Sequence, residues 1–101
     1  MPTSSVISLN GHDSVNENGN NYVCYAWTDT SAFSKFGGYT GNGSDDGPIV
    51  ETGFEPAFII FKRTNSTGNW LMYDNKRNTS NTRDKLLFTN DSAAEQTAAY
   101  V

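Results

Sequence analysis

Ala57-Phe58-Ile59-Ile60-Phe61-Lys62-Arg63-Thr64, then Asn65-Ser66-Thr67-Gly68, then Trp70-Leu71-Met72-Tyr73, is the stretch that decides the fold. Four large apolar residues in succession, Phe58 to Phe61, predict a strand, and the lack of polar alternation predicts a central one with both faces covered. Asn65 to Gly68 has the composition and spacing of a four-residue hairpin loop leading into the second strand. The two runs therefore predict antiparallel partners in an all-β chain.

Upstream, Phe33-Ser34-Lys35-Phe36-Gly37-Gly38-Tyr39-Thr40-Gly41-Asn42-Gly43-Ser44-Asp45-Asp46-Gly47-Pro48 sets five glycines, two Asn/Asp-Gly pairs and a proline among aromatic residues. Glycine costs entropy in an extended chain, so these positions imply turns, φ > 0 or close backbone approach. Gly41 to Pro48 is predicted to turn the chain, Ile49 to Thr52 to form a brief strand, and Gly53 to Pro56 to turn again. Tyr22 to Thr28 alternates Tyr22, Cys24 and Ala26 against Val23, Tyr25 and Trp27, and the two apolar sets predict a strand covered on both sides. Val6 to Leu9 is a shorter strand candidate, and Gly11 to Asn21 reads as a loop or hairpin turn.

Downstream, Asp74 to Asp84 is polar and charged and predicts a long surface loop, and Lys85 to Phe88 predicts a short strand. Ser92 and Glu95 have the spacing of a capping box, so residues 91–96 have helical character and are expected to hold at most one short helix, of one or two turns. Tyr100-Val101 is expected to open a final strand whose edge another chain can pair.

At 101 residues the chain has room for one domain with a modest core. Residues 1–5 are expected to be a flexible tail and 6–101 a single antiparallel β-sandwich or jelly-roll-like domain. Leu, Ile, Val and Phe number only 19, near the level at which chains stay disordered, but 13 aromatics and a net charge of only −4 favour folding. Eleven acidic against seven basic residues argue against a phosphate-backbone partner. Lys62-Arg63 and Lys76-Arg77 read as solvated strand ends. No apolar segment has the length to span a bilayer, and no signal-peptide pattern opens the chain, so no membrane insertion is expected.

The lone Cys24 excludes an intrachain disulfide and a paired-thiolate metal site, and its apolar context predicts a buried small hydrophobe. His12, the single histidine, lies in a polar loop and is expected to be exposed. The glycine-rich run lacks the Gly-Lys-Ser/Thr ending of a phosphate loop. Asp45, Asp46, Asp74 and Asp91 show no EF-hand spacing. The expectation is no catalytic residue, no cofactor and no metal. Tyr39, Trp70 and Tyr73 are the aromatics placed to stack on a sugar ring or on another subunit, against the simpler reading that they fill the core.

Tyr22-Val23-Cys24-Tyr25-Ala26-Trp27, Phe33 to Gly43, Asp46-Gly47-Pro48, Thr52-Gly53-Phe54, Pro56-Ala57-Phe58, Lys62-Arg63-Thr64 and Gly68-Asn69-Trp70 together resemble a domain of unknown function from marine bacteriophages. That domain recurs in tail-fibre-like and other virion structural proteins, usually as one segment of a longer chain. The resemblance runs from about Ser4 to Tyr100. It implies a place in the virion, assembled in the host cytoplasm, and it brings no catalytic residues. Members of the family continue past the position of Val101 into further strands, so this chain is expected to be a fragment or a subunit completed by a neighbour. The function expected is a non-enzymatic, tail-fibre-like structural protein that self-associates as a trimer or repeating assembly. A glycan-binding module for a host surface polysaccharide is the alternative, and a polysaccharide hydrolase fragment ranks below it.

Overall fold

The computed structural model describes residues 5–97. Its elements in chain order are α1 (Asp13–Asn16), β1 (Phe58–Phe61), β2 (Leu71–Asp74), β3 (Lys85–Phe88) and β4 (Gln96–Thr97). The strands form one antiparallel sheet in the order β1-β2-β3-β4. The all-β class is therefore the observed one. A second sheet that would close a sandwich is not formed among the described residues, and the expected 1–5 tail and Tyr100-Val101 strand lie wholly or mostly outside them.

The hairpin of β1 and β2 forms as the apolar runs predict, in the register Phe58↔Asp74 to Phe61↔Leu71. Its loop is longer than four residues, because the ladder stops at Phe61 and Leu71 and leaves 62–70 as the connection. Lys62 and Arg63 tie that loop, Nζ donating to the Gly68 carbonyl (2.7 Å) and Nε to Asn65 Oδ1 (2.9 Å). β3 then pairs with β2 in the register Leu71↔Phe88 and Met72↔Leu87. Thr89 N–H donates to the Trp70 carbonyl (3.2 Å) and Trp70 N–H to Asn90 Oδ1 (2.7 Å), extending that pairing one step past the strand ends.

The expectation of a central β1 is corrected: β1 stands at the sheet edge, and β2 and β3 are central. Consecutive apolar residues report that faces are sticky, not how many neighbours the strand has. Along β1 the side chains alternate between exposed and partly covered, Phe58 and Ile60 out and Ile59 and Phe61 in. On the inner face Ile59, Phe61, Leu71, Tyr73, Leu86 and Phe88 lie together by register and period-2 alternation. Tyr73 and Leu86, each 1% exposed, are the fully buried pair at its centre.

The segment from residue 5 to 56 contributes no strand to this sheet. Tyr22 to Thr28, expected as a strand, pairs with nothing among the described residues, and Trp27 is 69% exposed. The alternation itself survives, since the Tyr25 and Trp27 rings stack on one side with centroids 5.9 Å apart. A strand is completed by backbone groups of a second strand, so β-prone composition without a partner yields only extended chain. Val6 to Leu9 and Ile49 to Thr52 likewise form no strand. Cys24, expected to be buried, is exposed for the same reason.

The helix expected at residues 91–96 is also corrected. Asp91 Oδ1 accepts from Ala93 N–H (3.0 Å) in a local turn, and Gln96 and Thr97 pair with Leu86 and Lys85 as β4. One turn of helix forms instead at α1, inside the expected loop. His12 caps it, its Nδ1 accepting from Ser14 N–H (3.2 Å) and its carbonyl from Val15 and Asn16 N–H (3.0 and 2.9 Å). Tyr22 secures that turn from outside, its hydroxyl donating to the Asp13 carbonyl (2.5 Å) and accepting from Glu17 N–H (3.0 Å).

The glycine-rich turn is as expected. Gly43 takes φ +71, flanked by Asn42 Oδ1 accepting from Ser44 N–H (3.0 Å) and Asn42 Nδ2 donating to the Asp46 carbonyl (3.0 Å).

Candidate functional site

The three aromatics singled out by the sequence do not form one surface. Tyr73 is buried, so no ring can stack on it, and its side chain belongs to the core. Tyr39 is exposed and sets its ring edge against Phe61 on the inner face, at 6.2 Å between centroids, and Phe61 in turn meets Tyr73 at 6.4 Å. Trp70 is exposed, and the alternation of β2 places it on the opposite side with Met72.

That opposite side is the feature the sequence did not show. Ile60, Met72 and Leu87 stand in one row across β1, β2 and β3, and Phe58 lies beside them. Phe58 and Ile60 are 53% and 40% exposed, while Met72 and Leu87 are partly covered. One apolar residue in three of each central strand thus lies on the outer face. The signal was present in the sequence, since a run apolar at every position must show apolar groups on both faces, but only the sheet order says which face stays open.

At the other end of β2 a charged network ties the connection to β3. Asp74 Oδ1 accepts from the N–H groups of Lys76 (2.9 Å) and Arg77 (2.8 Å), and Oδ2 accepts from Arg77 Nε (2.5 Å). These donors, the Arg77 amide and guanidinium foremost, hold the Asp74 carboxyl down at about 2. Arg77 also reaches Glu95 (3.2 Å) through Nη1 and the Met72 carbonyl (3.3 Å) through Nη2, and its pKa is raised, chiefly by Asp74. Arg77 is therefore no solvated strand end. It links β2, its following turn and the approach to β4.

A second, exposed pair joins Lys35 Nζ to Asp29 Oδ2 (2.9 Å), and that ammonium, followed by the Phe36 N–H, lowers the Asp29 pKa. Beside the Asp74 end of the hairpin lies a cleft of about 140 Å³ lined by Pro56, Phe58, Ile59, Tyr73, Asn75 and Arg83 among others. Asn75 Oδ1 and Arg83 Nε are shut from solvent without hydrogen-bond partners. Those two atoms do not open into the cleft, whose wall also carries Asp74 and Asn81. Among the described residues no three His, Cys, Asp or Glu side chains gather where they could hold a metal ion, and no helix is long and apolar enough to cross a membrane.

Among the described residues the structure thus defines a small antiparallel β-sheet module with one packed face, one open apolar face and a free edge at β1. The chain belongs to the family described as Domain of unknown function (DUF7483), which it matches over residues 1–101. No curated protein and no solved structure matches it.

Proposed function

We propose that this chain is a non-enzymatic structural module that acts by self-association, as a tail-fibre-like component of a phage virion assembled in the host cytoplasm. The observation that carries the reading is the area left open. The chain exposes 8694 Å², about 3,000 Å² more than the roughly 5,700 Å² expected of a folded monomer of its mass. Its Cα radius of gyration of 16.6 Å exceeds the about 13 Å of a compact domain of this length.

The excess is apolar as well as large. Phe58, Ile60, Tyr25, Trp27, Phe33 and Ile49 are all exposed, and so wide an apolar surface on a small chain marks an interaction surface. Per copy it exceeds the roughly 1,000–2,500 Å² that each partner buries in an obligate interface, so more than one neighbour is needed to cover it. Identical neighbours supply a cover of matching chemistry, because apolar strands and free edges on one copy meet the same groups on the next. The placement in a phage virion rests on the family resemblance of the aromatic and glycine-rich motifs. A saccharide platform is less well supported, since Tyr73 is buried and Tyr39 and Trp70 lie on opposite sides of the sheet.

Light scattering on the size-separated chain over a wide concentration range, with negative-stain imaging of any large species, tests the proposal. A defined oligomer or an extended polymer is expected. A monodisperse monomer at the highest concentration would overturn it.

A further inference from the structure

β1 is an edge strand, and the hydrogen bonds on its inner side determine which of its groups are left over. Asn75 N–H donates to the Ala57 carbonyl (3.0 Å), which makes Ala57↔Asn75 a hydrogen-bonded pair. In an antiparallel ladder such pairs alternate, so Ile59 and Phe61 also spend their backbone groups on β2. The N–H and C=O groups of Phe58 and Ile60 consequently point away from the sheet. Among the described residues no backbone group meets them. Natural edges are commonly blunted by a proline, a charge or a bulge, and Phe58-Ile59-Ile60-Phe61 contains none of these.

We infer that two copies of this chain join at β1, antiparallel about a two-fold axis through Ile59, to make one continuous eight-stranded sheet. The inference rests on the self-association reading and names its interface. In this register Phe58 stands opposite Ile60 of the second copy and Ile60 opposite its Phe58, so all four outward backbone groups of each copy are satisfied. Both residues project from the open face, where an aromatic ring meets a β-branched side chain across the new strand pair. The apolar rows Ile60–Met72–Leu87 of the two copies then run together into one surface.

The charges that flank β1 suit the same register. Glu55 and Arg63 are both exposed and form no ion pair among the described residues. With Ile59 on the axis, Glu55, which lies beyond the bend at Ala57, comes to the same end of the junction as Arg63 of the second copy, and Arg63 to the same end as its Glu55. Moving the axis to Ile60 sets Phe58 against Lys62 and separates the charges. Moving it to Phe58 sets Ile60 against Pro56, which has no N–H to give. The Ile59 register alone pairs every β1 residue with an apolar residue that keeps its N–H, and it leaves Pro56 to face Lys62, past the end of the strand.

Sedimentation equilibrium on the untagged chain, with far-UV circular dichroism on every variant, tests this. E55R and R63E each gather like charges at both ends of the junction and are expected to weaken association about threefold. The double variant E55R/R63E restores the pairing with reversed sign and is expected to recover wild-type affinity. I60P removes an N–H that β2 does not use, and is expected to weaken association while the dichroism spectrum is kept. A wild-type chain that associates while both single charge variants and I60P associate equally well would overturn the β1 interface and leave self-association standing. A wild-type chain that stays monomeric would overturn both.

Discussion

Replacing Asp74 by Asn removes one charge from the network at the end of β2 and leaves an oxygen able to accept from the Lys76 and Arg77 amides. The wild-type carboxyl titrates at about 2 in the folded chain against the usual 3.8. A carboxyl whose folded pKa is depressed adds stability that is complete above its unfolded pKa and lost as pH falls through its folded one. The contribution is therefore full from about pH 5 upward and gone below about pH 2. A shift of that size corresponds to about 2 kcal/mol, and with the side chain 21% exposed, solvent screening brings the expected value to about 1–2 kcal/mol.

The assay is urea denaturation of wild type and D74N, followed by tryptophan fluorescence, at a series of pH values from 7 down to 2. Trp70, next to β2, reports on the hairpin. The difference in unfolding free energy between the two proteins is expected to be constant at neutral pH and to shrink toward zero across the window from 3.8 to about 2. A difference that stays the same from pH 7 to pH 2 would show that the charge of Asp74 contributes nothing and that the amide bonds alone hold the turn.

Leu86→Ala opens a cavity at one of the two fully buried positions and is expected to cost about 2–5 kcal/mol by chemical denaturation. Gly53 holds φ +79, so Gly53→Ala is expected to lower stability by about 1–2 kcal/mol, although its Cβ would enter open space. Asn90 accepts from Trp70 N–H and donates to Asn69 Oδ1 (3.0 Å), and Asn90→Ala is expected to cost about 1 kcal/mol and to speed amide exchange at Trp70.

What the sequence determined by itself is local. The hairpin was legible because Phe58 to Phe61 and Leu71 to Tyr73 are apolar runs divided by Asn, Ser, Thr and Gly, and Lys85 to Phe88 was legible on the same ground. The turn at Gly43 followed from Asn-Gly chemistry, which acts through neighbouring backbone groups. Pairing is not local, and there the tertiary structure decided. Tyr22 to Thr28 has a strand's composition and no partner strand among the described residues, while Gln96 and Thr97 belong to no apolar run and pair with β3 because Leu86 and Lys85 present free backbone groups beside them. The same holds for the sites: Tyr73 is buried and Trp70 exposed three residues away, because burial depends on which face of β2 the rest of the chain covers. Glu95 could have reached back to cap a helix, but Arg77 stands near enough to draw it into an ion pair. A strand's edge, its open face and its partners belong to the sheet as a whole, since each is completed by backbone and side chains distant along the chain.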